Sequence, residues 1–432
     1  MLNFIKKQSP ARIMAMGFLL IIAIGSVLLF LPVSLREGVS ISYLDSLYIS
    51  TSSVCVTGLV VVDVANTFSL FGQIVILVLI QVGGLGVTSV GAMLILAVRK
   101  KMNLKGIKIM RESLSLDSAR GITNFILDIF FTTLFFEAIG TIITFLVFLK
   151  EFSPTKALWV AFFHSVSAFN NAGIDLLGNY TSLIPYVNNV VMNLTTSLLI
   201  IFGGLGFLVI KEVIATKFKW KKFSMHTKVV LTMTASLIII GTIFIKLTEN
   251  VTVMGAFFLS VSARTAGFTT YPLEQFTRAG LIFISALTFI GASPGSTGGG
   301  IKTTTTFVLF AGLKASATNT TEKAFHYSIP QDAFKKAASV SLLSLAIVVT
   351  GTYLLCIFEP TISLIDIIFE VISAFGTSGL STGISPLLGN SSKIVCILLM
   401  YVGRLGPLTI ASLWSFSKGE TFSYPVGNIS IG

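Results

Sequence analysis

The sequence predicts an all-α polytopic membrane protein with eight transmembrane helices, arranged as four parallel repeats around one pseudo-four-fold axis. Of its 432 residues, 53% are hydrophobic and only 11% are charged, and the mean hydropathy is +0.90. A soluble domain cannot bury that much apolar surface. Four copies of a motif of small residues, a glycine and an apolar residue indicate the repeats. The copies are Val56-Thr57-Gly58-Leu59, Asn171-Ala172-Gly173-Ile174, Thr265-Ala266-Gly267-Phe268 and Thr377-Ser378-Gly379-Leu380.

The net charge of +12 lies mainly in alternate connecting segments, which hold 20 of the 30 Lys and Arg residues. This distribution follows the positive-inside rule, so we expect these segments and both termini in the cytoplasm. It accounts for the positive charge without a nucleic-acid partner. The segments are Lys6–Arg12, Arg99–Arg120, Lys211–Lys228 and Lys314–Lys336.

The first repeat sets the order of elements. Ile13–Leu35 is an uncharged span, and we expect it to be retained because it is longer than a signal-peptide core and no small-x-small cleavage site follows it. Asp45–Ser53 is a helix too short to cross a bilayer. An extended loop, Ser53–Val61, contains the motif, and a second span, Phe68–Val98, returns the chain to its starting side.

The same order recurs three times, so the predicted repeats are 1–105 with the N-terminal arm, 106–220, 221–325 and 326–432 with the C-terminal tail. Two spans and one re-entrant segment bring the chain back to the same side, which makes all four repeats parallel. The remaining spans are Ile122–Leu149, Val187–Ile210, Val229–Ile245, Leu281–Phe310, Ala337–Phe358 and Ile394–Ser415.

The extended loops carry the functional prediction. Backbone groups at membrane depth must line water or an ion path, because lipid cannot satisfy their hydrogen bonds. Four such loops in a ring would present backbone carbonyls that replace the hydration shell of a monovalent cation. Glycine permits the left-handed backbone that this geometry needs, and inward-pointing helix C-termini add partial negative charge. The residues therefore predict a cation pore.

The sequence resembles the Trk/Ktr/HKT superfamily of potassium transporters, most closely the membrane-spanning, KtrB-like subunit of bacterial Ktr systems. The family's filter glycines fall on Gly58, Gly173, Gly267 and Gly379, and the resemblance implies that backbone carbonyls of the sixteen motif residues bind the transported potassium ion. Glycine in all four copies implies potassium selectivity. The matching stretches are Val56-Thr57-Gly58-Leu59, Asn170-Asn171-Ala172-Gly173, Arg264-Thr265-Ala266-Gly267-Phe268 and Phe375-Gly376-Thr377-Ser378-Gly379-Leu380.

Each second span also contains a glycine cluster, 24 to 30 residues after the filter glycine, which we expect just below the filter. Two clusters depart from the pattern. In the third, a Gly- and Pro-rich run cannot hold a continuous helix, and it resembles the family's intramembrane gate loop; a passive helix break is the alternative. In the fourth, Arg404 replaces glycine and would oppose cations below the filter; an ion pair or bonds to helix-end carbonyls are its alternatives. The predicted gate comprises Gly291, Ala292, Ser293, Pro294, Gly295, Ser296, Thr297, Gly298, Gly299, Gly300, Lys302 and Arg404.

Other classes of function are disfavoured. Gly295–Thr303 approaches a phosphate-binding loop, but Ile301 breaks the spacing and no strand precedes it. No nucleophile and base pair is evident, so we predict no enzyme and no organic cofactor. His164 is expected to pack, and the three cysteines have no disulfide or metal spacing. A secondary transporter of another small solute and a less selective sodium/potassium pathway stay as alternatives.

Three residues near the loops carry lesser expectations. Asp63 and Asp175 follow filter glycines, where they either concentrate cations at an outer mouth or are simply solvated. Arg264 is expected to anchor the third loop by hydrogen bonds.

The resemblance also implies the surroundings of the chain. It implies a homodimer in the bacterial plasma membrane, with the tail Thr421–Gly432 contributing to the dimer contact. A cytosolic ring of nucleotide-binding, RCK-type (KtrA-like) regulatory subunits and stimulation by sodium are implied as well.

Overall fold

The computed structural model describes residues 9–97, 122–330 and 332–412. Lys6, Lys7, the basic segment 98–121 and the tail 413–432 lie outside the described residues. The helices are α1 (Pro10–Phe30), α2 (Tyr43–Cys55), α3 (Val64–Thr67), α4 (Leu70–Leu85), α5 (Val87–Ala97), α6 (Ile122–Phe148), α7 (Pro154–Phe169), α8 (Val190–Leu205), α9 (Phe207–Ala215), α10 (Met225–Thr248), α11 (Val253–Ser262), α12 (Arg278–Phe289), α13 (Thr303–Thr318), α14 (Ala333–Phe358), α15 (Leu364–Gly376), α16 (Asn390–Leu405) and α17 (Pro407–Ser412). A two-residue antiparallel hairpin, β1 (Lys323–Ala324) and β2 (Tyr327–Ser328), follows α13.

Four long helices, α1, α6, α10 and α14, are long and apolar enough to cross a membrane. Each begins a unit in which a short helix, a loop and a pair of shorter helices follow. Their outer faces expose apolar side chains, for example Phe131 (70% exposed) and Leu342 (69% exposed). Such surfaces suit hydrocarbon rather than water, so the chain is a multi-pass membrane protein.

The second spans of the first, second and fourth units are not the continuous helices that the sequence predicts. Each is interrupted after its glycine cluster, at Gly86, Gly206 and Gly406, where φ is 85°, 93° and 86°. Positive φ is incompatible with a right-handed helix and is tolerated because these residues are glycine. α8 and α9 consequently meet at a bend of 97°. By length and composition, four helices among the described residues can each cross a membrane, or five spans if the bent pair α8 and α9 counts as one. The predicted total of eight spans stays a prediction.

The third unit is interrupted more widely, as its Gly- and Pro-rich run predicts. α12 ends at Phe289 and α13 begins at Thr303. The intervening residues 290–302, called the inner loop below, are closed at their base by a parallel bridge between Ile290 and Ile301. A contact between the hydroxyls of Ser293 and Thr303, 3.0 Å apart, adds to this closure.

The short helices of the four units have their C-terminal ends directed at a common centre. They are α2, α7, α11 and α15. Side chains cap the N-termini of three of them, as where Ser42 accepts a hydrogen bond from the Asp45 amide at 3.1 Å. Just beyond each C-terminus, the residue two before the filter glycine has positive φ. These residues are Val56 (55°), Asn171 (60°), Thr265 (81°) and Thr377 (51°). The left-handed residue stops the helix and turns the chain into the extended loop.

The glycine clusters bring the second helices against the short helices. A methyl group on Gly83 would collide with the Val54 carbonyl, on Gly203 with the Phe169 carbonyl, and on Gly403 with the Phe375 carbonyl. Those carbonyls lie at the C-terminal ends of α2, α7 and α15. In these three units the absence of a side chain permits backbone contact directly beneath the loops.

Candidate ion pathway

The four motif loops meet at one point. A Cβ atom on Gly58 would stand 2.6 Å from the Ala172 carbonyl oxygen, and one on Gly173 would stand 2.5 Å from that of Ala266. The series continues from Gly267 to the Ser378 carbonyl at 2.7 Å and closes from Gly379 back to Thr57. Each glycine thus faces the residue before the next glycine, in chain order, and the ring is closed.

The ring is built from backbone rather than side chains. All four glycines have positive φ, between 66° and 97°. The apolar residues that follow them, Leu59, Ile174, Phe268 and Leu380, are at most 1% exposed and pack into the surrounding protein. Carbonyl groups are therefore the polar groups left to line the centre of the ring, and they are the ligands expected for a weakly hydrated monovalent cation.

Side chains join neighbouring loops to one another. The Asn171 amide lies 3.3 Å from the Thr265 hydroxyl, a contact available in either orientation of the amide. The Ser378 hydroxyl donates to the Ala263 carbonyl at 3.3 Å. These bonds connect the second loop to the third and the fourth to the third, so the spacing of the ring depends on contacts between repeats.

On one side of the ring lies a cavity of about 320 Å³ lined by the four glycines, Asp175 and Glu274. Two carboxyl groups thus lie at this side of the ring. Asp63 has a different role: its side chain accepts hydrogen bonds from the Ala65 amide (3.0 Å) and from Asn66, capping α3. Of the two predicted acids, Asp175 therefore lies at the mouth and Asp63 stabilises a turn.

On the other side of the ring, the inner loop lies directly beneath the filter residues. The Gly299 amide donates to the Thr377 hydroxyl at 3.0 Å. The Thr297 amide donates to the Gly203 carbonyl at 3.2 Å. A Cβ on Gly298 would collide with the Thr265 hydroxyl. The inner loop is thus fitted between the filter motifs and the glycine cluster of the second repeat.

Arg404 and Lys302 place two positive charges below the ring. The Arg404 guanidinium donates to the carbonyls of Gly83 (2.5 Å), Gly84 (3.3 Å) and Thr297. Lys302 donates to the Gly298 carbonyl at 2.6 Å, within its own loop. Both line an inner cavity of about 220 Å³. Neither forms an ion pair within the described ranges, so Arg404 takes the helix-end carbonyl alternative and also holds the inner loop.

The expected hydrogen bonds of Arg264 are not found among the residues that the structure describes. Its side chain is 6% exposed, and its Nε is buried without a partner. Arg264 is therefore a buried residue that packs beside the third loop.

His164 and the cysteines are placed as packing residues. The His164 Nε2 lies 2.9 Å from the Thr196 hydroxyl, and its ring lies 5.0 Å from that of Phe268 in an edge-on contact. The cysteines are free thiols. Residues 9–97, 122–330 and 332–412 contain no group of three His, Cys, Asp or Glu placed to hold a metal ion.

Three buried acids, Glu137, Glu249 and Glu370, were missed by the sequence reasoning, and two of them lie in helices beside the loops. Glu137 in α6 is 3% exposed and Glu370 in α15 is 0% exposed. Glu137 accepts from Asn170 at 3.1 Å and from Gln81 at 3.3 Å, which ties α6 to the end of α7. A single acidic residue inside an apolar segment was the available signal, because such residues are costly and are by default functional.

The fold and the ring of glycines define a multi-pass membrane protein with four loops that meet at one centre. A family model described as TrkH, a cation transport protein, matches residues 5–423, and the chain belongs to this family. This confirms the resemblance to Trk- and Ktr-type transporters.

Relatives of known name match over nearly their whole length. The chain is 37% identical to the potassium/sodium uptake protein NtpJ of Enterococcus hirae, covering 99% of this chain and 98% of that protein. It is 36% identical to the Ktr system potassium uptake protein B of Bacillus subtilis, covering 98% and 97%. The crystal structure of the potassium transporter TrkH from Vibrio parahaemolyticus aligns with a TM-score of 0.71 at 20% identity, covering 93% of this chain and 85% of that one. At that identity the alignment supports the fold alone.

Proposed function

We propose that the chain takes up potassium ions across the bacterial plasma membrane, through the ring formed by Gly58, Gly173, Gly267 and Gly379. The observation that carries the proposal is the closed approach of these four glycines to one another. The Bacillus subtilis relative is named a potassium uptake protein and the Enterococcus hirae relative a potassium/sodium uptake protein, which agrees with it. In this proposal the four repeats, 1–105, 106–220, 221–325 and 326–432, each contribute one loop and together make eight spans, four of them broken.

Transport through such a ring needs no bond chemistry. Carbonyl oxygens of the sixteen motif residues replace water around the ion, while the C-terminal ends of α2, α7, α11 and α15 add partial negative charge. The membrane potential supplies about 2.3 kcal/mol per charge for each 100 mV. That is enough for roughly fifty-fold accumulation without ATP hydrolysis in this chain.

The inner loop and Arg404 form the proposed gate. The loop is joined to filter residue Thr377 on one side and to Arg404 on the other, so it obstructs the path as long as both contacts persist. Opening then requires the inner loop to leave this position. A homodimer, an RCK-type regulatory ring in the cytosol and stimulation by sodium belong to the same proposal.

A second candidate function is a less selective pathway for sodium and potassium. It is favoured by the name of the Enterococcus hirae relative, a potassium/sodium uptake protein. The two candidates share one ring and differ in how strictly it discriminates.

The test is cation flux into liposomes that contain the purified chain, with and without its regulatory subunits. Uptake of potassium and rubidium well above sodium is the expected result. Comparable sodium uptake would select the second candidate. Absence of cation uptake even with the regulatory subunits present would refute both.

A further inference from the structure

The fourth filter loop is held to its helix differently from the first two. In the first loop the Gly58 amide donates to the Ser52 hydroxyl at 3.1 Å, and in the second the Ile174 amide donates to the Ser167 hydroxyl at 3.1 Å. Ser373 occupies the same position in the fourth repeat, six residues before the filter glycine. Its hydroxyl is buried and, within the described part of the chain, has no hydrogen-bond partner.

In the fourth repeat, hydrogen bonds to the side chain of Glu370 take the place of that hydrogen bond to serine. Glu370, one turn earlier on α15, accepts a hydrogen bond from the Ser381 hydroxyl at 2.7 Å on one oxygen and from Ser385 on the other. Ser381 in turn accepts from the Gly383 amide at 3.1 Å. Because Ser381 lies two residues after Gly379, the Glu370 carboxyl group is hydrogen-bonded to the outer end of the fourth filter loop.

The same position is apolar or aromatic in the other repeats. Nine residues before the filter glycine stand Ile49, His164 and Phe258 in the first three repeats, all buried. Only the fourth repeat carries an acid there. The contact of Glu370 with Ser381 and Ser385, called the brace below, therefore makes the fourth loop different from the other three.

The brace also lies beside the outer cavity. Ser381, Gly383 and Ser385 line that cavity together with the four filter glycines. Glu370 is 0% exposed, and within the described ranges no Lys or Arg forms an ion pair with it. A buried carboxyl group is costly unless it is hydrogen-bonded. The hydroxyl groups of Ser381 and Ser385, which are among the residues that line the cavity, therefore hold the Glu370 side chain in place.

We propose that Glu370 is a positioning residue for ion selection. It fixes the position of the outer end of the fourth filter loop by accepting hydrogen bonds from Ser381 and Ser385. This inference rests on the proposed potassium pathway. Without these hydrogen bonds the Leu380–Ser385 segment is free to shift. The carbonyl groups of the fourth loop then no longer lie at the same distance from the ion as those of the other three loops. Selectivity then falls more than total flux does.

The experiment compares potassium and sodium uptake into liposomes for Glu370→Ala, Glu370→Gln and the Ser381→Ala/Ser385→Ala pair. Loss of bonds to a charged group should lower the potassium-to-sodium ratio about tenfold or more in Glu370→Ala and in the serine pair. Glu370→Gln should recover much of the ratio, because an amide can bond to both hydroxyls. The serine pair serves as the test if Glu370→Ala does not assemble.

Glu359→Ala is the matched control. Glu359 also accepts hydrogen bonds from a serine hydroxyl, that of Ser392 at 2.7 Å, and from the Gly389 amide at 2.7 Å, but it does not bond to a filter loop. It should leave the ratio unchanged. An unaltered ratio in both Glu370→Ala and the serine pair, with equal loss of all cation fluxes, would overturn the inference alone. A wild-type protein that does not discriminate would overturn the proposed selectivity and, with it, this inference.

Discussion

Single glycines determine the backbone geometry at the point where the four loops meet. At Gly267 the backbone has φ of 82°, and a Cβ would stand 2.7 Å from the Ser378 carbonyl oxygen. A side chain there meets both a strained backbone and a neighbouring loop. Since each filter glycine contacts the next repeat, a change in one loop is transmitted to its neighbour.

Gly267→Ser should therefore lower the potassium-to-sodium uptake ratio. A non-glycine residue held at such a φ costs about 1–3 kcal/mol, and about 1.4 kcal/mol corresponds to a factor of ten. We expect a fall of about tenfold, measured as potassium, rubidium and sodium uptake into liposomes.

Gly38→Ser is the control for Gly267→Ser. Gly38 has a φ of 76° but no atom within 4 Å of its Cβ position, so it carries the backbone strain without the contact to another loop. Equal ratios for the wild type and Gly267→Ser would remove the third loop from the selectivity filter.

Helices pack beneath the loops through glycine, and this contact sets stability at the scale of elements. Gly83→Ala should lower the thermal unfolding temperature, since the methyl group collides with the Val54 carbonyl and overpacking costs about 1–3 kcal/mol. Gly91→Ala, in the adjoining helix α5, has no atom within 4 Å of the new methyl group. It should be neutral or stabilising, by up to about 1 kcal/mol. Thermal unfolding of both variants in the same detergent tests the packing, and equal shifts would contradict it.

The inner loop is the element that we expect to limit flux. Arg404→Ala removes the bonds to Gly83, Gly84 and Thr297 together with a fixed positive charge on the ion path. Deletion of Gly295–Gly300 removes the obstruction itself. Each change should raise potassium flux, by about tenfold for Arg404→Ala if one charge-assisted bond limits opening.

Arg278→Ala provides the matched loss of an arginine for this gating prediction, because Arg278 is exposed at the start of α12. It should leave flux unchanged. Flux that stays equal or falls in assembled Arg404→Ala protein would count against a gate at this place.

At the scale of the whole molecule, the dimer is expected to depend on the C-terminal tail. The tail lies outside the described residues, and the prediction rests on the resemblance to Ktr-type proteins. A chain ending at Glu420 should run as a monomer, measured by light scattering during size-exclusion chromatography in detergent, while the full chain runs as a dimer. A shortened chain that remains dimeric would show that other surfaces hold the protomers together.

At least three features of the described residues also depart from strict four-fold symmetry. Within that part of the chain the inner loop occurs only in the third unit, Arg404 stands where two other clusters have glycine, and Glu370 has no acidic counterpart. Each departure bears on one loop or one level of the pathway. We infer that the shared ring supports conduction, while these departures support control of opening and ion choice.

The sequence by itself determined the membrane class, the four loops and the interruption in the third unit. These features are local: a glycine motif, an apolar run or a Gly- and Pro-rich stretch has its effect within a few residues, and repetition adds to its weight. The first short helix was predicted over Asp45–Ser53 and extends over Tyr43–Cys55, so its presence was predictable and its bounds were two residues off at each end. The breaks at Gly86, Gly206 and Gly406 were not predicted, because they occur in runs whose composition suits an unbroken span.

Tertiary structure alone decided which residues meet. Arg404 binds carbonyls of Gly83 and Gly84, about 320 residues away in the chain. Arg264 has none of its expected hydrogen bonds among the described residues. Asp63 caps a helix, while Asp175 lines the outer cavity. Glu370 acquires its role from Ser381 and Ser385 only when the loop folds back over α15. Hydrogen bonds depend on distances of a few tenths of an ångström, and such distances are set by the packing of all four units together.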